Sequence, residues 1–470
     1  MRKTKIVCTI GPACNNEVTL TEMAKAGMNV ARLNFSHGTH EDHQRNIDLL
    51  KKVRCELNIP LAIMLDTKGP EYRIGTFENG KEHLCDGDTF IFTTKDVVGS
   101  KEMVSVSYKN LNRELAVGDK ILVNNGLLSF KVDKIEDTDI ICTVISGGDI
   151  SNRKSMSFPG KVMKQVYLSE QDKKDLLFGI KNDVEYIACS FVSNVQDMLD
   201  VKKFLSENGG TGIGLIAKIE NQSGVDNIES ICSECDGVMI GRGDMGVEIA
   251  FEEVPAIQKK IITKCRMLGK RVITATEMLE SMTTNPRPTR AEISDVANAV
   301  FDGTSAIMLS GETAAGKYPV LTVATMSKIA AQAEKSVDYK KIFYTTEFRI
   351  KNSLDAISHS VCGMSMDIGA KAIVVCSMTG MTARMVSRFR SPVDIIGLTV
   401  NEKTWHQLSL SWGVIPVMCE VYPQIEVLFY TAKNLAKQVL KLSKGDKIVI
   451  TGGSQTGASG NTNTIRMEDI

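Results

Sequence analysis

Three features of this 470-residue sequence predict an α/β chain: a closed (β/α)8 barrel of the TIM type, an inserted β-barrel domain and a C-terminal α/β domain. First, eight short, β-branched apolar runs alternate with helical patterns, and strands separated by helices argue a parallel sheet that closes on itself. Second, that rhythm stops after the third run, and the stretch 71–168 reads as short strands broken by Gly, Asn and Asp with almost no helical periodicity. Third, the alternation resumes after residue 340. The expected division is a barrel from 1–70 and 169–340, an insertion from 71–168 and a third domain from 341–470.

The eight barrel runs are "KIVCTI" (5–10), "MNVARLNF" (28–35), "LAIMLD" (61–66), "EYIACSFV" (185–192), "GLIAKIE" (214–220), "GVMIGRGD" (237–244), "RVITATEM" (271–278) and "SAIMLSGE" (305–312). The insertion carries "TFIFTT", "MVSVSY", "KILVNNGLLSFKV" and "DIICTVI". Four further runs, "KAIVVCS", "VDIIGLTV", "GVIPVMC" and "KIVITGG", build the third domain.

Composition narrows the function classes. Apolar residues make up 43% and charged residues 24%, with 56 basic against 56 acidic side chains, so nothing global draws the chain to nucleic acid or to a membrane. No apolar run approaches the roughly 18 residues of a spanning helix, and "MRKTKIVCTIGP" has too short an apolar stretch for a signal peptide. The expected location is the cytoplasm. Twelve cysteines sit singly in apolar runs, as buried thiols do in a reducing compartment.

In a (β/α)8 barrel the chemistry lies where the strands end, so polar residues there are the ones to count. Alternation puts Arg32, Asn34 and Ser36 on one face, as it does Lys218 with Glu220, Arg242 with Asp244, and Thr274 with Thr276. Asp66 and Thr67 close the third run. Two carboxylates without His or Cys company suit a hard divalent cation such as Mg²⁺. Arg32, Arg73 and Lys218 suit a phosphoryl or carboxylate substrate, and metal, cations and a hydroxyl together fit phosphoryl transfer or enolate stabilisation. Asn34, Ser36, Asp66 and Thr67 offer one charge and several neutral oxygens, which fits a monovalent cation and fits loop capping equally.

One stretch invites a different reading. "SGETAAGKYP" (310–319) follows a strand, precedes a helix and differs from a P-loop by one residue, with Tyr318 where Ser or Thr belongs. Tyr318 followed by Pro319 cannot supply the metal-binding hydroxyl, so Ser310 and Glu312 are expected to line or support the barrel mouth. "CSEC" (232–235) has redox spacing without a second pair and reads as buried thiols. His37, His40 and His43 lack the company of a metal cluster, and His37 reads better as a phosphate contact.

Seven segments occur in order over essentially the whole chain: "NFSHG" (34–38), "LDTKGPEYR" (65–73), "AKIEN" (217–221), "GRGDMGVEI" (241–249), "TATEMLESM" (274–282), "NPRPTRAEISDVANAVFDGTSAIMLSGETAAGKYP" (285–319) and "TNT" (462–464). Together they resemble the pyruvate kinase family. The resemblance implies transfer of the phosphoryl group of phosphoenolpyruvate to ADP, giving pyruvate and ATP in glycolysis, with Mg²⁺ (or Mn²⁺) and K⁺ as cofactors. It places Lys218 as the lysine that stabilises phosphoryl group and enolate, Glu220 and Asp244 as Mg²⁺ ligands, and Gly243 with Asp244 at the substrate carboxylate. It places Thr276 beside the enolate face that is protonated, Arg32 and Arg73 on phosphates, and Pro12, Asn34, His37, Arg73 and Lys154 on the nucleotide. Asn34, Ser36, Asp66 and Thr67 match K⁺ ligands, and Glu71 matches the glutamate that accompanies K⁺ dependence.

The third domain resembles the family's effector domain. Ser377, Thr379, Gly380 and Thr382 would form its phosphate loop for a sugar phosphate, and "TGGSQTGASGNTNT" its covering loop. A homotetramer is the family's usual assembly. The chain departs from the family pattern at Met378 and Met381, where fructose-bisphosphate-responsive members often carry Lys or Arg, and at Asn124, Ser155, Ser157, Ser193 and Glu277. A catalytically impaired, ligand-sensing homologue is the alternative reading, and retention of Lys218, Glu220, Asp244 and Thr276 argues against it.

Overall fold

The structure, a computed structural model, describes residues 2–161, 163–453 and 460–470; residues 454–459 of the expected covering loop lie outside the described residues. Strands β1 (Lys5–Thr9), β2 (Val30–Asn34), β3 (Ala62–Asp66), β4 (Tyr186–Cys189), β5 (Gly214–Ile219), β6 (Gly237–Gly241), β7 (Arg271–Ala275) and β8 (Ala306–Leu309) close into a parallel barrel. The (β/α)8 expectation is met, with β8 pairing β1 in parallel.

Period-two alternation builds two cores at once. Val7, Val30, Ala62, Met64, Tyr186, Ile216, Met239 and Ile273 fill the interior, while Ile6, Cys8, Ala31, Leu33, Ile63 and Leu65 meet the surrounding helices. The interior register turns polar at the top: Val30 is followed by Arg32, Met64 by Asp66, Ala188 by Ser190 and Ile216 by Lys218. Helix starts are locked by reciprocal side-chain caps at Thr39 with Asp42, Ser169 with Asp172, Asn194 with Asp197 and Thr289 with Glu292.

Between β3 and the helix Glu170–Lys181 the chain forms a seven-stranded sheet around Phe90, Phe92 and Phe130. Its entering strand Tyr72–Arg73 pairs with its leaving strand Ser155–Ser157, and an isolated bridge from Ile74 to Val106 brings the two sheet edges together. The C-terminal sheet contains β9 (Ala372–Cys376), β10 (Asp394–Thr399), β11 (Val414–Met418), β12 (Lys447–Gly453) and β13 (Thr462–Asp469), in the order β11-β10-β9-β12-β13. Only β13 runs antiparallel.

This small sheet packs under the barrel, against the ends where the strands begin. The Lys5 ammonium donates to the Val414 carbonyl at 2.7 Å, the Tyr186 hydroxyl to the Gln407 carbonyl at 2.6 Å, and Lys3 pairs with Asp394 at 2.8 Å. The barrel mouth is therefore left to the insertion.

A buried carboxylate staples one helix to the barrel. Glu185 is 1% exposed; its Oε2 accepts the Ile63 N–H at 2.6 Å and its Oε1 accepts from Arg54 of the helix His40–Glu56 at 3.0 Å. Burial pushes this carboxyl up, and Arg54 opposes that shift. Glu185→Ala is expected to destabilise the barrel by about 2–4 kcal/mol, because it leaves the Ile63 amide without its acceptor and the partly buried Arg54 guanidinium with only the Leu61 carbonyl among the described residues. The midpoint of urea unfolding, compared with that of Glu185→Gln, checks this, the glutamine variant losing less.

Candidate active site

Four inward positions converge at the top of the barrel. Asp66, fully buried at the end of β3, accepts from Arg32 Nε at 2.5 Å and from Lys218 Nζ at 3.1 Å. Lys218 also donates to the Ser190 hydroxyl at 2.6 Å and lies 3.2 Å from Glu220 Oε1. Arg32 is steadied from the other side by Thr9 Oγ1 at 2.9 Å. Ser190 and Thr9 are site residues that the motif reading missed; both continue the inward register, after Ala188 and Val7, and that signal was available in the sequence.

The electrostatics follow from this geometry. Burial alone would raise Asp66, but Arg32 and Lys218 outweigh it and hold the carboxyl low. Burial works against the charge on Lys218, and Asp66 and Glu220 more than offset it, so the ammonium stays charged. Glu220 is pushed up to about 7 by burial, Lys218 opposing and the Asp244 carboxylate adding repulsion. Two neighbouring carboxylates of which one resists ionisation form a site that a divalent cation relieves. Glu220 and Asp244 therefore fit Mg²⁺, which takes few protein oxygens and completes its shell from substrate and water. Among the described residues no group of three His, Cys, Asp or Glu side chains forms a closed metal cage.

The backbone here is bent into unusual conformations. Phe191, Thr276 and Glu277 have φ of 56°, 69° and 54°, in the left-handed region that non-glycine residues avoid. Each is held by a bond: the Phe191 N–H donates to Glu220 Oε2 at 2.9 Å, and Arg242 donates to the carbonyls of Ala275 and Thr276 at 3.2 and 2.5 Å. Gly241 must be glycine, since a Cβ there would sit 2.5 Å from Glu220 Oε1. Strand alternation therefore misplaces two pairs. The chain turns helical at Arg242, so Arg242 faces Asp295 at 2.8 Å while Asp244 is exposed; Thr274 bonds Thr304 in the core, whereas Thr276 accepts the Gly243 N–H at 2.8 Å.

The remaining predicted residues lie around this centre. Asn34 ends β2 and Ser36 follows it, with Asn34 Oδ1 accepting the Ser36 N–H at 3.1 Å, and Thr67 follows Asp66, its carbonyl accepting from Ser190 Oγ at 2.7 Å. Pro12 and His37 are exposed; His43 Nε2 bonds the His37 carbonyl at 2.9 Å, and His40 pairs with Asp175 at 2.6 Å. Glu71, Arg73, Lys154 and Asp244 line a cleft of about 380 Å³ between the insertion and the barrel. Arg73 points within the insertion, to Glu71 and to the Arg153 carbonyl at 2.5 Å, and Lys68 lies 3.3 Å from Glu71.

Four of the departures, Asn124, Ser155, Ser157 and Ser193, line the same cleft. Asn124 has φ of 55°, a conformation asparagine tolerates well, and Ser193 Oγ links the Phe191 carbonyl at 3.2 Å to the Asn221 amide at 3.0 Å.

The P-loop look-alike is filled by protein. Glu312, 1% exposed, accepts the Leu279 N–H at 3.0 Å and the Ser310 N–H at 2.7 Å, so a carboxylate occupies the turn where a P-loop would cradle phosphate. In the small sheet, Ser377, Thr379 and Thr382 line a cavity of about 320 Å³. Its walls include Met378, Met381, Val421 and Tyr422, and no Lys, Arg or His of the described residues lines it. Gly380, with φ of 71°, faces away from it.

Residues 1–323 match the family described as "Pyruvate kinase, barrel domain" and residues 355–468 match "Pyruvate kinase, alpha/beta domain". The chain is 45% identical over 472 residues to the pyruvate kinase of Clostridium acetobutylicum, with both chains wholly covered. It is 46% identical over 470 residues to that of Staphylococcus haemolyticus, covering 99% of this chain and 80% of the relative. The crystal structure of a pyruvate kinase from Cryptosporidium parvum matches with a TM-score of 0.95 at 38% identity, covering 100% of this chain and 96% of the other.

Because Glu220 keeps its proton up to about pH 7, protons compete there with a divalent cation. Mn²⁺ affinity of the substrate-free protein, read by calorimetry, is expected to fall below that pH by up to about tenfold per unit and to level off above it.

Proposed function

The chain belongs to the pyruvate kinase family and is a phosphotransferase that moves the phosphoryl group of phosphoenolpyruvate to ADP, and from that premise we propose how its own residues do so. The observation that carries the assignment of roles is Lys218, a buried ammonium kept charged between Asp66 and Glu220. Aimed at the transferring phosphoryl group and then at the enolate oxygen, it stabilises charge that grows as the reaction proceeds. Arg32, held by Asp66 and Thr9, faces the phosphoryl oxygens as a fixed fork. Glu220 and Asp244 would hold Mg²⁺ (or Mn²⁺), which when bound neutralises phosphoryl and carboxylate oxygens.

Gly243 and Asp244 present backbone amides for the substrate carboxylate. The Gly243 N–H is spent on Thr276 Oγ1 without substrate, at 2.8 Å. A carboxylate that takes over this amide frees the Thr276 hydroxyl, which donates to the Ala275 carbonyl at 2.6 Å, to orient a water for protonating the enolate. Pro12, Asn34, His37 and Lys154, with Arg73 closing from the insertion, form the nucleotide side. Asn34, Ser36, Asp66 and Thr67 would hold K⁺, with Glu71 setting the dependence on it.

The proposal extends to the whole chain: catalytic barrel 1–70 and 169–340, lid 71–168, and effector domain 341–470. A sugar phosphate on Ser377, Thr379 and Thr382, with Gly380 outside that cavity, a homotetramer and a cytoplasmic place in glycolysis complete it. No helix of the described residues is long and apolar enough to cross a membrane. That no Lys, Arg or His of the described residues lines the cavity at Ser377 argues for an effector with less charge than a bisphosphate.

Lys218→Met is expected to lower turnover by at least about a thousandfold while Mn²⁺ binding persists, and a coupled assay of pyruvate formation decides it. In the same assay with Mg²⁺, replacing K⁺ by tetramethylammonium is expected to abolish most activity; equal rates would remove the role given to Glu71 and the K⁺ set.

A further inference from the structure

The bottom of the barrel holds a second cluster of cationic side chains that the reaction does not use. A cavity of about 180 Å³ lies there, between the barrel and the turn that leads into the helix Met381–Ser387, with Arg271 of β7 on one side and Arg384 on the other. Arg271 is 7% exposed; its Nε donates to the Ser411 hydroxyl at 3.1 Å and its guanidinium carbon lies 5.6 Å from the Tyr186 ring centre. Neither terminal nitrogen of Arg271 has a hydrogen-bond partner among the described residues.

Arg384 is also incompletely used. Among the described residues, Nη1 donates to Asp236 Oδ1 at 2.8 Å, Nη2 reaches only the Met381 sulfur at 3.0 Å, and the buried Nε has no partner. Two guanidinia against one carboxylate leave the cavity net positive. Burial works against the charge on Arg271, and Arg384 adds repulsion to it. Buried polar groups in folded proteins are paired, and a free guanidinium fork matches an oxyanion in geometry as well as charge. Thr211 and Thr379, both exposed, line the cavity and leave a way in from solvent.

We infer that this cavity is an anion site for a small phosphate-bearing ligand, gripped between Arg271 and Arg384 with Thr379 at its rim. The volume lies below the roughly 300 Å³ at which pockets for larger organic ligands begin, which points to inorganic phosphate or a short phosphate ester. The site is separate from the cavity of the small sheet at Ser377, yet Thr379 and Met381 line both. On the barrel side, Asp236 precedes β6 and accepts the Leu215 N–H of β5 at 3.0 Å. These two strands carry Lys218 at one far end and lead into Asp244 at the other, so an anion that draws Arg384 off Asp236 acts on strands shared with the substrate site.

Calorimetric titration of the full chain with inorganic phosphate, then with glycerol phosphate, at constant ionic strength and without divalent cation, tests this. The expected result is a saturable event in the wild type that weakens at least about tenfold in Arg271→Met and in Arg384→Met and persists in Thr382→Val, which alters only the neighbouring cavity. Tighter binding of glycerol phosphate identifies an ester as the ligand, and tighter binding of phosphate the free ion. Should Arg271→Met fail to fold by circular dichroism, Arg271→Lys keeps the charge without the fork and is expected to weaken binding too. Wild-type affinity in the folded variants, loss of the event in Thr382→Val alone, or no saturable binding to the wild type overturns the assignment.

Discussion

The structure depends on one carboxylate that serves two cations. Asp66, fully buried, ties together the largely buried Arg32 and Lys218, and each member would be costly alone: a buried ion loses several kcal/mol of hydration after relaxation. Their mutual pairing offsets that loss and, more to the point, fixes both cations without side-chain freedom. A lysine that must meet charge as it develops gains from not having to reorganise. Glu220, beside Lys218 and Asp244, is left poorly ionised chiefly by burial, and the Asp244 carboxylate adds repulsion to it.

The strained backbone around this cluster belongs to the same design. Left-handed conformations at Phe191, Thr276 and Glu277 cost of order 1–3 kcal/mol each and persist only where the surroundings over-determine them. Glu220 holds Phe191 by its amide, Arg242 holds the two carbonyls that precede Glu277, and Glu312 holds Leu279 just beyond. The backbone at the barrel mouth is thus fixed by side chains that reach it from the ends of β5 and β6 and from the turn after β8. Glu277 is exposed at the outer edge of this turn.

The barrel was legible because two periods coincide in it. Alternation every second residue separates the inner from the outer core, and the same alternation, continued past the apolar residues, predicts Arg32, Asp66 and Lys218 at the mouth. It fails where the strand ends and another geometry takes over. Arg242 and Asp244 part company because a helix begins at Arg242, and Thr274 and Thr276 because φ turns positive at Thr276. Those breaks depend on long-range bonds, such as Arg242 to Asp295, that no local window contains. Ser190 and Thr9 were missed for a different reason: a lone hydroxyl at a strand end carries no signal until the register of its neighbours is known. The carboxylate filling the P-loop look-alike is likewise visible only once Leu279 and Ser310 are seen to converge on Glu312.

The two ends of the barrel carry opposite demands, and the strands join them. At the top, buried charges are nearly all paired, because catalysis needs them rigid. At the bottom, the terminal nitrogens of Arg271 and the buried Nε of Arg384 have no hydrogen-bond partner among the described residues, and the one bond Arg271 makes, from Nε to Ser411, uses a single nitrogen of its fork. A hydrophobic side chain there would pack against Tyr186 without the desolvation penalty. Burying a guanidinium fork beside a second one makes physical sense where an anion visits, and the ends of β5 and β6 nearest that anion are fastened by Asp236 to the residue it would bind.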